Sequence, residues 1–241
     1  MSKNIILITG ASSAIGQEVI KKFQNNKNIL LATYNKNNFK IKKDSKKRII
    51  KFKLDLSNEK KVVEFVKNLS RKNLIPNKII HIASSSLKMS SFTDLNWVDY
   101  EKNFNIQIKS FFIILKYVLP IMKKNNYGKI LAILSSVTIS QPPGFMSPYI
   151  TSKYALLGLL KSLAAEYSKY KISVNSISPG MMKTNFINKI PKKMLEINNQ
   201  KVPFGRSVKI NDIIPVLEFL MSDKSSFITG TNIPITGGLN L

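Results

Sequence analysis

The sequence predicts an α/β protein built as one doubly wound parallel sheet. Short apolar runs alternate with helix-length amphipathic segments along the whole chain. The runs are apolar on both faces, as strands must be when helices cover both sides of a parallel sheet. The first run ends in a glycine-containing turn that opens directly into a helix, Thr9-Gly10-Ala11-Ser12-Ser13-Ala14-Ile15-Gly16. Right-handed crossovers between such strands give a sheet of about seven strands with helices on both faces.

Each element follows from its pattern. Residues 5–8 read as a buried strand and 15–23 as a helix. Residues 29–33 form a second strand and 49–54 a third, followed by a helix over 60–69. The fourth strand is 79–83, and residues 97–123 hold a long helical pattern. The fifth strand, 129–134, leads to a long helix over 149–170. A sixth strand over 173–177, a helix over 211–221 and a short strand over 232–235 complete the series. No internal repeat and no Pro-, Gly- or Ser-rich linker interrupts it, so residues 1–241 are expected to form a single domain. Residues 36–47 and 181–201 are polar, lack periodicity and lie between elements, which predicts mobile insertions there.

Composition narrows the chemistry. The chain has 241 residues, 44% of them hydrophobic, enough for a sizeable core. With no cysteine there is no disulfide framework, thiolate nucleophile or thiolate-ligated metal, and a single histidine, His81, excludes a His-rich metal site. No metal is expected. The net charge is +25, from 38 Lys+Arg against 13 Asp+Glu. Such a charge invites a nucleic-acid reading. Against it, only Arg48, Arg71 and Arg206 are arginine, so forked donors for phosphate and base recognition are scarce. Lysine, asparagine and isoleucine rise together, as in an AT-rich genome. The expectation is no nucleic-acid partner, with the positive field suited to an anionic substrate. No signal-peptide pattern follows Met1, and residues 111–122 carry Lys116 and Pro120. No membrane span is therefore expected, and the cytoplasm is the default location.

The turn after the first strand suits an anion. Gly10 permits a tight exit from the strand, Gly16 lets the helix pack closely, and the helix N-terminus points backbone N–H groups at a phosphate. Ser12 and Ser13 add hydroxyl donors. An ordinary strand-to-helix turn has the same shape, so position in the chain carries the weight. The turn resembles the TGxxxGxG fingerprint of the short-chain dehydrogenase/reductase family, with Ala14 at the place of the middle glycine. The resemblance implies a Rossmann fold and a nicotinamide dinucleotide held by Gly10, Ser12, Ser13, Ile15 and Gly16. Leu54-Asp55-Leu56 resembles the family's adenine-contacting segment, which implies contacts from Asp55 and Leu56. As a bare pattern, Asp55 reads equally well as an acid near a helix start. His81-Ile82-Ala83-Ser84 stands where the family has NNAG, and only Ala83 is retained. His81 is expected to be a packed strand-end residue. The second strand ends in Thr33-Tyr34-Asn35-Lys36, without the acid that would accept a ribose 2′-hydroxyl. Asn35 and Lys36, with Lys40 nearby, are expected to meet a 2′-phosphate. NADP(H) is favoured, with NAD(H) as the alternative.

Tyr149-Ile150-Thr151-Ser152-Lys153 is the most informative segment. Spacing of four on a helix puts Tyr149 and Lys153 on one face, one turn apart. An adjacent ammonium favours the phenolate, predicting a lowered tyrosine pKa and a proton donor or acceptor near neutrality. The segment resembles the family's YxxxK. That implies Tyr149 as general acid of carbonyl reduction and Lys153 as its tuner and a holder of the nicotinamide ribose. The family's substrate-orienting serine is Ser136 when counted back from Tyr149, and Ser135 when counted along the strand from Gly128. The first count is preferred and the second kept. The family's relay asparagine falls on Gln107, with Asn105 two residues and Asn103 one turn earlier. Ser178-Pro179-Gly180-Met181-Met182-Lys183-Thr184 resembles the segment that meets the nicotinamide, which implies contacts from Pro179, Gly180, Met182 and Thr184. A substrate lid is expected over residues 183–202, with Met181, Met182, Phe186 and Ile187 at an apolar mouth. Phe227-Ile228-Thr229-Gly230 and Gly237-Gly238 resemble the family's C-terminal signature, with Thr236 in place of its usual Asp.

The expected function is an NADP(H)-dependent oxidoreductase that reduces a keto group on a small anionic or carrier-linked substrate. The alternatives are an NAD-dependent dehydrogenase oxidising a sugar or secondary alcohol, and a non-catalytic nucleotide-binding scaffold. The resemblance also implies a homo-oligomer, dimer or tetramer.

Overall fold

The structure, a computed structural model, describes residues 4–24, 27–41, 48–182 and 192–239. Its centre is a seven-stranded sheet in the order β3-β2-β1-β4-β5-β6-β7. The strands are β1 (Asn4–Thr9), β2 (Asn28–Tyr34), β3 (Ile49–Lys53), β4 (Lys78–His81), β5 (Gly128–Ile133), β6 (Ile172–Pro179) and β7 (Asn232–Ile235). Every neighbouring pair is parallel. The order reverses beside β1, between β2 and β4, which is where a doubly wound sheet opens a crevice at the carboxyl ends of its strands.

The helices among the described residues are α1 (Ala14–Phe23), α2 (Glu59–Arg71), α3 (Trp97–Phe104), α4 (Ser110–Lys124), α5 (Ser147–Tyr167), α6 (Lys192–Lys201) and α7 (Ile210–Met221). A π-helical stretch, Asn105–Lys109, joins α3 to α4, so that one helix runs from Trp97 to Lys124. That helix is long and apolar enough by composition to suit a membrane, but its apolar face is spent in the core. Phe111, Ile114, Leu115, Val118, Leu119 and Met122 are all buried.

The two-residue repeat of a strand splits the core into two layers. Leu7, Leu31, Ile79, Ile130 and Val174 face α2, α4 and α5, where they meet Val62, Phe65, Phe111, Val118 and Leu160. Their neighbours Ile6, Ile8, Leu30, Ile80 and Leu131 face the other way, onto Val19 and Phe23 of α1 and Ile213 and Leu217 of α7. All seven expected strands and all expected helices are present. The expected insertion over 181–201 contains one helix among its described residues, α6, while residues 183–191 lie outside the description.

Candidate active site

The cleft begins where β1 ends. Gly10 has φ +69°, a conformation that L side chains rarely adopt, and a Cβ there would stand 2.8 Å from the Ala83 nitrogen. The turns after β1 and β4 therefore touch backbone to backbone. Ser13 caps α1 by accepting the Gly16 N–H at 3.0 Å. A Cβ on Gly16 would stand 2.5 Å from the Gly10 carbonyl oxygen, so glycine lets the helix fold back on its own entry turn. Its N-terminal N–H groups thus face the open crevice.

A cavity of ≈ 440 Å³ follows from this arrangement. Of the residues expected at a cofactor, Gly10, Ser12, Ser13, Ile15, Asn35, Asp55, Leu56, Ala83, Tyr149, Lys153 and Met182 line it. Tyr34, Asn37, Ser84 and Ile106 also line it. Four expected residues do not. Gly16 serves packing, as just described. Lys36 is exposed between the lining residues Asn35 and Asn37, and its charge acts on Asp55. Pro179 is the last residue of β6, and Gly180 donates its N–H to the Ile235 carbonyl at 2.9 Å, both in the sheet rather than on the cleft wall. Thr184, with Lys183, Phe186 and Ile187, lies outside the described residues.

Asp55 reconciles its two readings. It accepts hydrogen bonds from the Ser57 amide at 3.0 Å and the Ser57 hydroxyl at 2.7 Å, shaping the turn before α2, while also lining the cleft. The Ser57 hydroxyl, then its amide and the charges of Lys61 and Lys36, hold the carboxyl below the usual range against its partial burial. The helix cap itself is Asn58.

At the other end, α5 presents Tyr149 and Lys153 to the same cavity. Lys153 is buried and donates to the Ile133 carbonyl at 2.8 Å, with its ammonium 5.6 Å from the Tyr149 ring centroid. Desolvation pulls Lys153 down to about 7. Tyr149 is half-buried on the cleft wall, and desolvation pushes it up to about 12. The expectation of a lowered tyrosine pKa is thus reversed: loss of hydration outweighs the hydrogen bond from Ser135 that favours the phenolate. In this state Tyr149 is a neutral phenol, equipped to give a proton.

The serine hydrogen-bonded to Tyr149 is Ser135, not the preferred Ser136. Ser135 also caps the short 3₁₀ turn Ser136–Thr138. Gly128 to Ile133 are held in register with Ile172 to Ile177 of β6, so the count along β5 that leads to Ser135 runs within one paired strand.

Gln107 is fully buried and does not line the cleft; its neighbour Ile106 does. Gln107 donates to Ser152 Oγ at 2.8 Å, and Ser152 donates in turn to the Tyr149 carbonyl at 2.7 Å. The amide thus grips the helical turn that carries Tyr149 and Lys153. Asn103, one turn earlier, accepts from Ser85 Oγ and donates to the Asp99 carbonyl at 2.9 Å. The π-turn over Asn105–Lys109 explains why three amides competed in sequence. A wider turn adds a residue, so counts from its two sides disagree.

His81 is a packed residue, as expected. Its Nδ1 lies 2.9 Å from Thr9 Oγ1 and its ring stacks on Phe111 at 4.3 Å. Desolvation, and after it the Lys153 charge, brings it to about 3, so it is neutral.

Comparisons with known proteins bear on this geometry. A family model described as enoyl-(acyl carrier protein) reductase matches residues 10–240. The 3-oxoacyl-[acyl-carrier-protein] reductase FabG of Rickettsia felis is 37% identical over 58% of this chain and 58% of its own length. The chain thus matches little more than half the length of the first of its curated relatives. The 3-oxoacyl-[acyl-carrier-protein] reductase FabG of Buchnera aphidicola subsp. Baizongia pistaciae is 31% identical over 99% of this chain and 98% of its own. Among solved structures, 4-hydroxyisoleucine dehydrogenase complexed with NADH is similar at a TM-score of 0.86 and 28% identity, covering 98% of both chains.

Proposed function

Because this chain belongs to the short-chain dehydrogenase/reductase family and is an NAD(P)-dependent oxidoreductase, we propose that it uses NADP(H) to reduce a keto group on an anionic or carrier-linked substrate. The observation that carries this reading is that Tyr149 and Lys153, with Ser135 hydrogen-bonded to Tyr149, line the same cleft as the Gly10 turn, Ser135 standing behind the lining residues.

The residues fit a dinucleotide. The cradle at Gly10 and Ala83 is one that a Cβ would fill, and the α1 N-terminus supplies donors for a diphosphate. Asp55 offers a carboxylate at the adenosine end. When bound, the nicotinamide supplies the hydride equivalent of the reaction. The chain supplies the rest. Ser135 orients the substrate carbonyl by hydrogen bonding. Tyr149 gives its phenolic proton to the carbonyl oxygen as negative charge develops there. Lys153, anchored on the Ile133 carbonyl, places positive potential beside the phenol and compensates the phenolate left behind. Gln107 holds the helical turn through Ser152.

A neutral phenol is the form that gives the proton in reduction, and its phenolate is the base of the reverse oxidation. The corner after β2 holds Tyr34, Asn35 and Asn37 on the cleft wall, with Lys36 outside it and no acid, which supports NADP(H) over NAD(H). The net charge of +25 and the names of the relatives support an acidic, carrier-linked substrate. Exposed Phe112, Tyr154, Phe219 and Phe227 support a homo-oligomer, and the cytoplasm is the location that fits such chemistry. The similarity to a dehydrogenase complexed with NADH favours a second reading, NAD-dependent oxidation of an alcohol. Fluorescence titration with NADPH and NADH, followed by NADPH consumption on a 3-oxoacyl thioester, separates the two. Tighter NADPH binding with turnover is expected. A preference for NADH with alcohol oxidation would replace the first reading by the second, and binding of neither would leave a scaffold.

A further inference from the structure

The adenosine corner of the cleft rests on a lysine that no family motif singles out. Lys51 lies on β3, opposite Ala32 of β2. Its ammonium donates to the Phe39 carbonyl at 2.8 Å. It also sits 4.9 Å from the Phe39 ring centroid and 5.5 Å from that of Tyr34. The two rings meet edge to face, 6.0 Å apart at 90°. Phe39 is buried in the core layer beneath the sheet, with Tyr34 packed against that layer. One cation therefore ties together the end of β2, the loop that follows it, and β3.

Residues 35–40 have no regular helix or strand. Side-chain contacts must set their course, and both ends are joined by the edge-to-face contact of Tyr34 with Phe39 and by the Lys51 clamp on the same two residues. A charged donor on a carbonyl and a cation over two aromatic faces are each stronger in such a half-buried site than in water. Tyr34, Asn35 and Asn37, all within or beside the clamp, line the cleft, whereas Lys51 does not.

We infer that Lys51 is a positioning residue for the adenosine half of the dinucleotide: its clamp on Tyr34 and Phe39 shapes the 34–39 corner before the nucleotide arrives. The inference rests on the dinucleotide-binding reading above. A corner already in its bound shape spares the ordering cost that binding otherwise carries.

The test measures binding of NADPH, NADH and ADP-ribose by the wild type, Lys51→Met and Lys51→Arg. Lys51→Met is expected to weaken all three by about tenfold, the weight of a cation–π contact and a hydrogen bond. Lys51→Arg keeps both contacts and is expected to restore binding to within about twofold. In turnover, the rise in cofactor KM should exceed the fall in kcat. Unchanged binding by Lys51→Met overturns the inference. So does a loss confined to NADPH, which would mean a direct charge effect on the 2′-phosphate, and so does failure of arginine to rescue. If the wild type binds none of the three, the dinucleotide reading falls and this inference with it, an outcome distinct from a wild type that binds and a Lys51→Met variant that binds equally.

Discussion

Lys78 and Lys129 are direct register partners on β4 and β5, and both are buried at the end of the sheet remote from the cleft. Lys78 donates to the Met221 carbonyl at 2.9 Å and Lys129 to Ser225 Oγ at 3.4 Å. Asp223, which accepts from the Tyr127 hydroxyl at 2.9 Å, is the acid whose charge favours both ammonium groups. Desolvation nevertheless holds both lysines below the ordinary lysine range.

This pair and Lys153 give stability an unusual pH dependence. A lysine whose folded pKa is lowered contributes stability that is present above its unfolded value, near 10.5, and lost as pH falls through the folded value. Lys153, at about 7, sets the lower edge of the window. Tyr149, raised to about 12, contributes the reverse, stability present below about 10 and lost as pH rises through 12, and Tyr127 is raised in the same sense. The thermal midpoint should rise from pH 7 to about 9.5 and fall above about 10. Thermal unfolding followed by circular dichroism checks this, and Lys78→Met should make the rise shallower. A midpoint that declines steadily from pH 7 would contradict it.

The hydrogen bond between Ser135 and Tyr149 predicts unequal roles for two adjacent serines. Ser135→Ala should lower kcat by roughly 10²-fold, the weight of one donor aimed at a reacting oxygen. Ser136→Ala should stay within a few-fold of the wild type, on the order of ordinary surface changes. Steady-state assays of the two variants decide, and a larger loss for Ser136→Ala would reverse the assignment.

Removing the phenolic proton should spare the cleft. Tyr149→Phe is expected to bind NADPH within about threefold of the wild type and to lose between about 10² and 10⁴ in kcat. Parallel titration and turnover measurements separate the two quantities. Turnover at the wild-type rate would remove Tyr149 from the mechanism.

Gly10 is constrained twice, by φ +69° and by Ala83 at its back. Gly10→Ala should cost about 1–3 kcal/mol of stability and abolish measurable dinucleotide binding, because the turns after β1 and β4 must part. Urea unfolding with and without NADPH tests both effects; wild-type stability would show that the turn relaxes freely.

Residues bound by rigid repeats were legible in the chain alone. Leu7 and Ile8 alternate between two core layers because strand geometry leaves no choice, and Tyr149 and Lys153 share a face because a helix turns every 3.6 residues. Counts that run beyond one element were less decisive. The hydrogen bond to Tyr149 comes from Ser135, the alternative to Ser136, and a π-turn lies among the three candidate amides. Lys36 was read from its place after β2; it is exposed at the cleft margin, between the lining residues Asn35 and Asn37.

The sequence by itself determined the order of strands and helices, the turn at Gly10 and the Tyr149–Lys153 pair, since each depends on spacing within one element or on a glycine's freedom. Packing is what raises the Tyr149 phenol above its ordinary range and sets Lys51 on Tyr34 and Phe39. Both depend on how much water is excluded and on which groups converge, Lys51 on the Phe39 carbonyl 12 residues away and Lys153 on the Ile133 carbonyl 20 residues away. Desolvation and convergence are properties of the packed whole, and no local pattern of residues encodes them.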